Sequence, residues 1–309
     1  MNRRLTRWLC AAATACSLFG ATAARADDYT QTRYPVVLVH GLFGFDAIGP
    51  LNYFHRIPEA LSDGGATVFV SQESSANASE VRGEQLLAEL RALKAAYGYE
   101  KFNLIGHSHG GQTVRYVAGV APELVASVTT VGTPHQGSPV ADGVKQQLAT
   151  TGLTGPVAAI VDAFAKVIAF FSGSSQPQDA LAALTALDTR GAADFNARFP
   201  AGAPGSACGS GPAEANGVRW YSIGSTSVVT NVLDPLDGVL GLTSLYFGGA
   251  ESDGLVGRCS SHWGTVLRDD YPWNHVDQIN QSFGLRGLFT PDPVEFYRSQ
   301  ANRLKLQGL

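Results

Sequence analysis

The chain has 309 residues, of which 45% are hydrophobic and 16% are charged. This is the composition of a globular protein, and it excludes a disordered or fibrous chain. Lys and Arg total 22 against 26 Asp and Glu, a net charge of -4, so the chain lacks the basic excess that binds nucleic-acid phosphates.

The first 26 residues form a separate unit that predicts a secretory signal peptide. Three arginines precede the apolar run 8–15, and small residues follow as far as Ala24-Arg25-Ala26, the Ala-x-Ala pattern of a cleavage site after Ala26. The apolar run is too short for the alternative, an N-terminal membrane anchor of about 20 residues. Removal of this unit takes away four arginines and no acids, which leaves 18 basic and 26 acidic residues and a net charge of -8.

The predicted export also indicates the oxidation state of the cysteines. Cys10 and Cys16 leave with the signal peptide, and Cys208 and Cys259 enter an oxidising compartment. We therefore expect a Cys208–Cys259 disulfide, which closes a loop of about 50 residues and contributes about 4 kcal/mol in the chain-entropy model. Two free buried thiols are the alternative.

Residues 34–132 alternate between strand and helix patterns. Continuous apolar, β-rich runs predict strands buried on both faces of a parallel sheet at 34–40, 66–71, 101–106 and 125–132. Apolar residues at helical spacing predict helices over 79–97, with Ser79 as the cap, and over 112–120. Strands that alternate with helices indicate right-handed βαβ units and an α/β fold.

The pattern changes after residue 134. Residues 139–200 contain no strand pattern, and Pro156–Phe171 is apolar on all sides except at Asp162 and Lys166. A helix with so little polar surface is either buried in the core or covers a site as a mobile lid. A further helix is predicted at Ala180–Leu187.

Strand patterns return at Val218–Ile223 and at Leu242–Phe247, each followed by a polar, glycine-rich turn. Residues 139–200 are therefore predicted as an insertion in a sheet that resumes later. Because no internal repeat or linker divides residues 27–309, we expect a single domain.

Gly106-His107-Ser108-His109-Gly110 matches the G-x-S-x-G pattern of a nucleophile elbow. The match follows a predicted strand and precedes a predicted helix, which is the setting that this elbow requires. We expect glycine at its two ends because the strand and helix backbones pass too close there for side chains. Ser108 is thus the candidate nucleophile, exposed at the carboxyl edge of the sheet.

An oxyanion hole beside this serine needs two backbone N–H groups. His109 supplies the group that follows the nucleophile, and Leu42, in the segment HGLFG after the first strand, is the candidate for the other. His40 ends a buried strand, and His107 and His109 flank the serine. None of these three histidines is expected to be the catalytic base.

The acid should follow the serine and precede the base. Asp253 comes after the predicted strand Leu242–Phe247, in a tight turn at the sheet edge where Ser108 also lies. This position favours Asp253 as the acid over Asp237, Asp269 and Asp270.

Three histidines follow the serine. His135 precedes the returning strand pattern and leaves no room for an acid on a strand before it. His262 and His275 remain as candidate bases. The interval from Asp253 to His262 scarcely permits another strand, which favours His275 and leaves His262 open.

A group of oxygen donors begins shortly after His275. Asp277, Gln281 and the Leu285 carbonyl are spaced four residues apart, and carboxylate, amide and backbone oxygens suit a hard cation such as calcium, although this is not an EF-hand pattern. The alternative is an ordinary N-terminal helix turn in NHVDQINQ.

The chain from residue 27 onwards resembles the secreted bacterial triacylglycerol lipases of Pseudomonas and Burkholderia type, which are foldase-dependent α/β-hydrolases. The ordered segments that carry the resemblance are YTQTRYPVVLVHGLFGFD, SEVRGEQLL, NLIGHSHGGQTVRYVA, VGTPHQGS, LDPLDG, SDGLVGRCSSH, NHVDQINQSFGL and YRSQANRLK. The resemblance implies an α/β-hydrolase fold, with a mostly parallel central sheet, helices on both faces and a helical lid insertion over approximately 139–175.

The same resemblance assigns the site residues. It implies Ser108 as the nucleophile, Asp253 as the acid and His275 as the base, with Leu42 and His109 as oxyanion donors and a Cys208–Cys259 disulfide. It also implies one structural Ca²⁺ ion, held by the side chains of Asp234 and Asp277 and the carbonyls of Gln281 and Leu285.

The implied function is hydrolysis of long-chain acylglycerol esters at an oil–water interface, through an acyl-enzyme intermediate. The protein would be secreted, folded in the periplasm by a lipase-specific foldase, and monomeric. One alternative is an esterase or polyester depolymerase with the same triad. Another is a non-catalytic lipid-binding domain, against which the intact triad argues.

Overall fold

A computed structural model describes residues 27–42, 44, 47–48, 51–150 and 176–309. The predicted signal peptide and the predicted helix Pro156–Phe171 lie outside these residues, and so does most of the predicted lid insertion. Among the helices that are described, none has the length and apolar character that a membrane span requires.

The centre of the fold is a mostly parallel β-sheet. The strands are β1 (Val36–Val39), β2 (Ala47–Ile48), β3 (Leu51–Asn52), β4 (Val68–Val70), β5 (Phe102–His107), β6 (Val125–Val131), β7 (Glu214–Ala215), β8 (Val218–Ser225) and β9 (Thr265–Tyr271). The order across the sheet is β4-β1-β5-β6-β8, and β9 lies parallel to β8. Among the described strands of this sheet, only the short β7 runs antiparallel, while β2 and β3 form a separate two-stranded ribbon. The parallel order places the carboxyl ends of the central strands at one edge.

The helices are α1 (Ile57–Asp63), α2 (Ser79–Tyr97), α3 (His109–Val120), α4 (Pro139–Thr150), α5 (Ala180–Leu187), α6 (Thr189–Arg198), α7 (Asp237–Thr243) and α8 (Pro293–Leu306). Short 3₁₀ turns lie at Pro122–Leu124, Ser244–Phe247, Arg258–Ser261 and Asp277–Ile279. The last of these turns is followed by a single irregular turn, Gln281–Gly284.

Helices cover both faces of the sheet. Val37 and Val39 of β1 point into a core formed with α2 and α3, whereas Val36 and Leu38 point into a second core formed with α1 and α8. Alternate residues of a strand face opposite sides of the sheet, so a strand that is apolar throughout must be buried on both faces. The predicted α/β-hydrolase architecture is thereby confirmed for the described residues.

Most of the predicted elements are confirmed. The strands predicted up to residue 132 are present, the helices predicted at 79–97 and 180–187 have the observed bounds, and α3 begins three residues earlier than predicted. The prediction of Ser79 as a helix cap is wrong, because Ala78 occupies the N-cap position. The Ser79 hydroxyl instead contacts His109 Nε2 at 2.9 Å and donates to Gln112 Oε1 at 2.9 Å.

The strand predicted at Leu242–Phe247 is also wrong. This segment completes α7 and continues as a 3₁₀ turn. The buried residues of α7 are Asp237, Leu240 and Thr243, whose spacing of three is helical, whereas a strand would bury every second residue. The sheet resumes with β8, as predicted at Val218–Ile223. The strand beyond it is β9, which the sequence did not predict because its Arg268, Asp269 and Asp270 interrupt the apolar pattern.

The predicted disulfide is present. It joins Cys208, in the loop between α6 and β7, to Cys259, in the turn Arg258–Ser261, with their Cα atoms 4.6 Å apart. Gln136 Nε2 donates to the Cys259 carbonyl at 3.0 Å. The disulfide and this hydrogen bond together anchor the segment that follows Asp253 to two other parts of the chain.

Candidate active site

Ser108 occupies a strained turn between β5 and α3. Its φ of 55° and ψ of -125° lie outside the regions that residues with side chains normally adopt, at a cost of about 1–3 kcal/mol. The surrounding backbone holds this conformation: the Ser108 N–H donates to the Val131 carbonyl at 2.8 Å, and the Ser108 carbonyl accepts from the Gly111 N–H at 3.0 Å. The turn has the geometry of a nucleophile elbow.

Glycines make this turn possible. A Cβ on Gly106 would lie 2.4 Å from the Gly110 carbonyl oxygen, and one on Gly110 would lie 2.3 Å from the Val39 carbonyl oxygen. The predicted reason for glycine at these two positions is therefore confirmed. A Cβ on Gly41 would lie 2.7 Å from the Ser108 Cβ, so the loop that follows β1 lies directly against the serine.

Both candidate oxyanion donors belong to segments that lie against Ser108. Leu42 comes immediately after Gly41 and is half-buried. His109 is the first residue of α3, so its N–H belongs to the helix N-terminus, where donors lack intrahelical partners and the helix dipole is positive. The His109 ring has a different role, since it is buried and contacts the Ser79 hydroxyl.

Asp253 and His275 form a buried pair. His275 Nδ1 lies 2.8 Å from Asp253 Oδ2, and the His275 N–H donates to the Asp253 carbonyl at 3.0 Å. The other carboxylate oxygen accepts from the N–H groups of Leu255 and Val256, at 2.9 and 2.7 Å. Both side chains are at least 95% buried. These hydrogen bonds fix the carboxylate, which orients the imidazole.

The alternative base and acids have other partners. His262 Nε2 lies 2.9 Å from Asp269 Oδ2, and Arg258 pairs with the same carboxylate. Asp237 accepts from the N–H groups of Thr230 and Asn231. The remaining contacts are Asp270 with Arg268, and His135 with Arg115 and Thr130. Among the candidate histidines, His275 is the one that the structure brings to Asp253.

His107 connects the nucleophile strand to the histidine loop. Its Nε2 lies 3.0 Å from the His275 carbonyl, its ring centroid is 4.7 Å from that of His275, and its Nδ1 lies 2.7 Å from the Tyr53 hydroxyl. Burial, and then the charge of His275, hold the pKa of His107 well below its usual value. A neutral ring carries one proton, and the carbonyl can only accept, so Nε2 is the donor and Nδ1 accepts from Tyr53.

Tyr53 completes this connection. Its hydroxyl oxygen accepts from the Gly41 N–H at 3.0 Å while its proton points to His107. One continuous chain of hydrogen bonds therefore runs from the loop after β1, through Tyr53 and His107, to the backbone of His275. The sequence analysis did not find this connection, because Tyr53 and His107 are 54 residues apart.

Gln278 is a second contact that the sequence analysis missed. Its Nε2 donates to Asp253 Oδ2 at 2.8 Å and to the Ser225 hydroxyl. Gly132, with φ of 52°, leaves space for this side chain, since a Cβ there would lie 2.0 Å from Gln278 Oε1. The only sequence signal was its position one helical turn after His275.

The predicted calcium ligands lie beside the histidine loop. Asp234 Oδ1 accepts from the Leu236 N–H and the Ser282 hydroxyl, and Asp277 Oδ2 accepts from the Asn274 N–H. The second oxygen of each carboxylate is buried without a hydrogen-bond partner in the described part of the chain. Burial raises the pKa of both carboxyls, that of Asp277 to about 6, and the charges of Asp237 and Asp234 add to the effect at Asp277.

The other two predicted ligands, the carbonyls of Gln281 and Leu285, belong to the irregular turn Gln281–Gly284 and the residue after it. Among the described residues, no group of three or more His, Cys, Asp or Glu is arranged to hold a metal ion. The predicted set contains only two carboxylates, and its remaining ligands are backbone oxygens.

A buried ionisable cluster supports the loop after β1. Arg82 Nη2 donates to the His40 carbonyl at 2.6 Å, and its Nε donates to the Thr113 hydroxyl at 3.1 Å. Glu73 Oε2 lies 3.4 Å from His40 Nε2. Burial lowers the pKa of His40 to about 3 and raises that of Glu73 to about 7. His40 therefore has a structural role, as the sequence analysis predicted.

Comparison with known proteins identifies the family. Residues 34–220 match the alpha/beta hydrolase fold family. A triacylglycerol lipase of Vibrio cholerae is 51% identical over 305 residues, which cover 95% of each chain. The chain belongs to the bacterial triacylglycerol lipases. The lipase of Pseudomonas fragi is 46% identical over 92% of this chain and 100% of its own. The lipase of Burkholderia plantarii is 44% identical over 93% of this chain and 90% of its own.

Solved lipase structures share the fold of this lipase. The Staphylococcus hyicus lipase superposes with a TM-score of 0.61 at 19% identity, over 91% of this chain and 97% of its own. Lipase 1 from Pelosinus fermentans gives a TM-score of 0.61 at 17% identity, over 89% and 99%. The resemblance to lipases of Pseudomonas and Burkholderia type is therefore confirmed, and so is the fold.

The buried carboxyl of Glu73 makes the stability of this lipase depend on pH. A folded-state pKa raised from 4.5 to about 7 means that the folded chain binds the proton more tightly than the unfolded chain does. The free energy of unfolding should therefore fall between these two pH values, by about 3 kcal/mol for this group. Glu73→Gln removes the titration, so the variant should gain stability relative to the wild type as the pH rises.

Urea unfolding at pH values below 4.5 and above 7 would measure this difference. Glu123→Gln, at an exposed position in the turn Pro122–Leu124, is the matched control and should show no such trend. A difference between Glu73→Gln and the wild type that stays constant with pH would contradict the prediction.

Proposed function

We propose that this lipase hydrolyses long-chain acylglycerol esters at oil–water interfaces, with Ser108, Asp253 and His275 as its triad. The observation that carries the proposal is the buried contact of 2.8 Å between His275 Nδ1 and Asp253 Oδ2, beside a strained serine turn in a chain 44–51% identical to triacylglycerol lipases. A hydrogen bond at Nδ1 leaves Nε2 of the neutral imidazole as the proton acceptor.

The chemistry follows from these positions. His275 Nε2 takes the proton of the Ser108 hydroxyl as the oxygen attacks the ester carbonyl carbon, and Asp253 stabilises the imidazolium that forms. The negative charge on the carbonyl oxygen is held by the N–H groups of Leu42 and His109. The tetrahedral intermediate then collapses, His275 returns the proton to the leaving alcohol, and the acyl group remains on Ser108.

Water completes the cycle. His275 takes a proton from the water as it attacks the acyl-enzyme, and the same two N–H groups hold the second oxyanion. Collapse releases the fatty acid and returns the proton to Ser108. The neutral His107 ring adds no second positive charge beside the imidazolium, and Gln278 keeps the Asp253 carboxylate in place through the 2.8 Å hydrogen bond.

A structural calcium ion belongs to this proposal. Asp234 and Asp277 each bury one carboxylate oxygen that lacks a hydrogen-bond partner among the described residues, which is a chemistry that suits a hard cation. The side chains of Asp234 and Asp277, with the carbonyls of Gln281 and Leu285, would hold the ion. When bound, it would neutralise the two carboxylates and fix the loop that carries His275.

We further propose that the protein is secreted after cleavage behind Ala26, folds with the help of a lipase-specific foldase and acts as a monomer. The sequence of residues 1–26 and the family resemblance support these points. The helix predicted at Pro156–Phe171 remains the candidate for the lid. An esterase or polyester depolymerase would use the same chemistry on smaller or polymeric esters, so the substrate profile separates these functions.

Ser108→Ala tests the function. Wild type should hydrolyse an emulsified long-chain triacylglycerol strongly, and the variant should lose several orders of magnitude on both this emulsion and a soluble short-chain ester. Ser62→Ala, at an exposed position on α1, is the matched control and should keep full activity. Wild-type activity confined to the soluble ester would favour the esterase, and undiminished hydrolysis by Ser108→Ala would refute the assigned nucleophile.

Chelation tests the calcium site. A calcium chelator should lower both the melting temperature and the emulsion activity of the wild type, because two buried carboxylates lose their counter-charge. Asp277→Asn should show little further loss on chelation, whereas Asp63→Asn, an exposed substitution at the end of α1, should respond like the wild type. A wild type that chelation leaves unchanged would contradict the site.

A further inference from the structure

Two neighbouring loops expose large apolar side chains. Val232 and Leu233, in the loop after β8, are 90% and 74% exposed, and Phe283, Leu288 and Phe289, before α8, are 72%, 85% and 104% exposed. We call these five residues the apolar rim. Single exposed apolar residues are common on protein surfaces, but a group on adjacent loops marks an interaction site.

Contacts between the loops make the apolar rim one surface. Asn231 Nδ2 donates to the Arg286 carbonyl at 3.1 Å, and the Ser282 hydroxyl donates to Asp234 at 2.7 Å. A Cβ on Gly287 would lie 3.6 Å from the Thr230 carbonyl oxygen. These bonds fix the two loops side by side.

The backbone gives a second, independent observation. Phe283 and Phe289 have φ values of 59° and 64°, in the left-handed region. A phenylalanine in this region is strained, and residues with short polar side chains adopt it more readily. The Phe289 ring is fully exposed, so packing inside the protein does not compensate for its strain, and the Phe283 ring is mostly exposed as well. Strain of this kind is typical of functional sites.

The apolar rim lies beside the candidate active site. Phe283 packs its ring against that of His55, with centroids 5.9 Å apart. Gln281 Nε2 donates to the Asn52 carbonyl at 2.6 Å. The hydroxyl of Tyr53, the residue after Asn52, accepts from the Gly41 N–H in the loop after β1. The loop of Phe283 also continues directly from His275 and Asp277. The rim is therefore connected both to the segment that carries Tyr53 and to the loop that carries His275.

The charges on and around the apolar rim limit the kind of surface that it can bind. Residues 229–233 carry no charged side chain, and in residues 283–289 Arg286 pairs with Asp292 at 3.3 Å. A mature chain with 18 basic and 26 acidic residues would not be drawn to an anionic membrane. An uncharged apolar surface, such as an oil droplet, fits these loops.

We propose that the apolar rim inserts into the surface of a neutral ester droplet and holds the candidate active site against it. This proposal rests on the proposed lipase function, because the droplet is the substrate phase. The rim consists of described residues on loops fixed by hydrogen bonds, and it is distinct from the helix predicted at Pro156–Phe171. It acts through binding and leaves the chemistry at Ser108 unchanged.

The double variant Leu288→Ser and Phe289→Asn tests the apolar rim. We expect hydrolysis of a soluble short-chain ester to stay within about twofold of wild type, while binding to a triolein emulsion falls by roughly tenfold or more for the two side chains. Binding is measured by flotation in the Ser108→Ala background, so that the emulsion is not consumed. Emulsion hydrolysis, measured with Ser108 intact, should fall in parallel.

Two controls separate this role from a structural one. Leu306→Ser removes an apolar side chain that is 77% exposed near the C-terminus, where the Leu309 carbonyl accepts from Arg33 ahead of β1, at the amino edge of the sheet. It should leave emulsion binding unchanged. Phe289→Asn alone should keep or raise the melting temperature, because asparagine tolerates a left-handed backbone, whereas a phenylalanine with a structural role would lower it on removal.

The other outcomes overturn the proposal. Unchanged emulsion binding by the double variant would do so, as would an equal loss in Leu306→Ser. Dissociation of a wild-type dimer by the double variant, with emulsion binding intact, would show that a second copy covers the rim. A wild type that floats with triolein through the rim without hydrolysing it would instead refute the proposed function and leave the rim in place.

Discussion

The candidate active site depends on the close approach of three backbones around Ser108. The end of β5, the start of α3 and the loop after β1 lie so near one another that a Cβ on Gly106, Gly110 or Gly41 would overlap a neighbouring atom at 2.7 Å or less. This crowding forces the serine to a φ of 55°. The strain is sustained because β5 and β6 are buried on both faces and leave the turn no room to relax.

A chain of buried hydrogen bonds connects the parts of the site to one another. The loop after β1 is held by the Tyr53 hydroxyl, which donates to His107, and His107 donates to the backbone of His275. Each of these groups is buried, so each hydrogen bond replaces water that burial has removed. A displacement of the histidine loop would therefore be transmitted to the loop after β1, which carries Leu42.

Local sequence patterns were sufficient for most of the fold and for the nucleophile. Strands buried on both faces are continuous apolar runs, and the G-x-S-x-G turn is encoded within five residues. The pattern failed at β9, an edge strand with three charged residues, and at Leu242–Phe247, where a short apolar run did not distinguish strand from helix. The reason given for Asp253, its position after a predicted strand, is therefore wrong, although the structure does place His275 next to Asp253.

Contacts between distant residues were beyond the sequence patterns. Gln278 meets Asp253, and Tyr53 meets His107, only because the sheet brings their loops to one edge. Asp234 and Asp277 are 43 residues apart in the sequence, so no local pattern joins them. Their pairing was implied by the family resemblance. Side chains that support a site, unlike the nucleophile itself, occur in no fixed local pattern.

The most direct measurement for the central claim is covalent labelling with a phosphonate ester that reacts with activated serines, followed by peptide mass spectrometry. We predict that label is incorporated at Ser108 in proportion to the loss of hydrolysis, and that His275→Ala greatly slows the labelling. Label at another residue, or labelling of Ser108→Ala at the wild-type rate, would contradict the account.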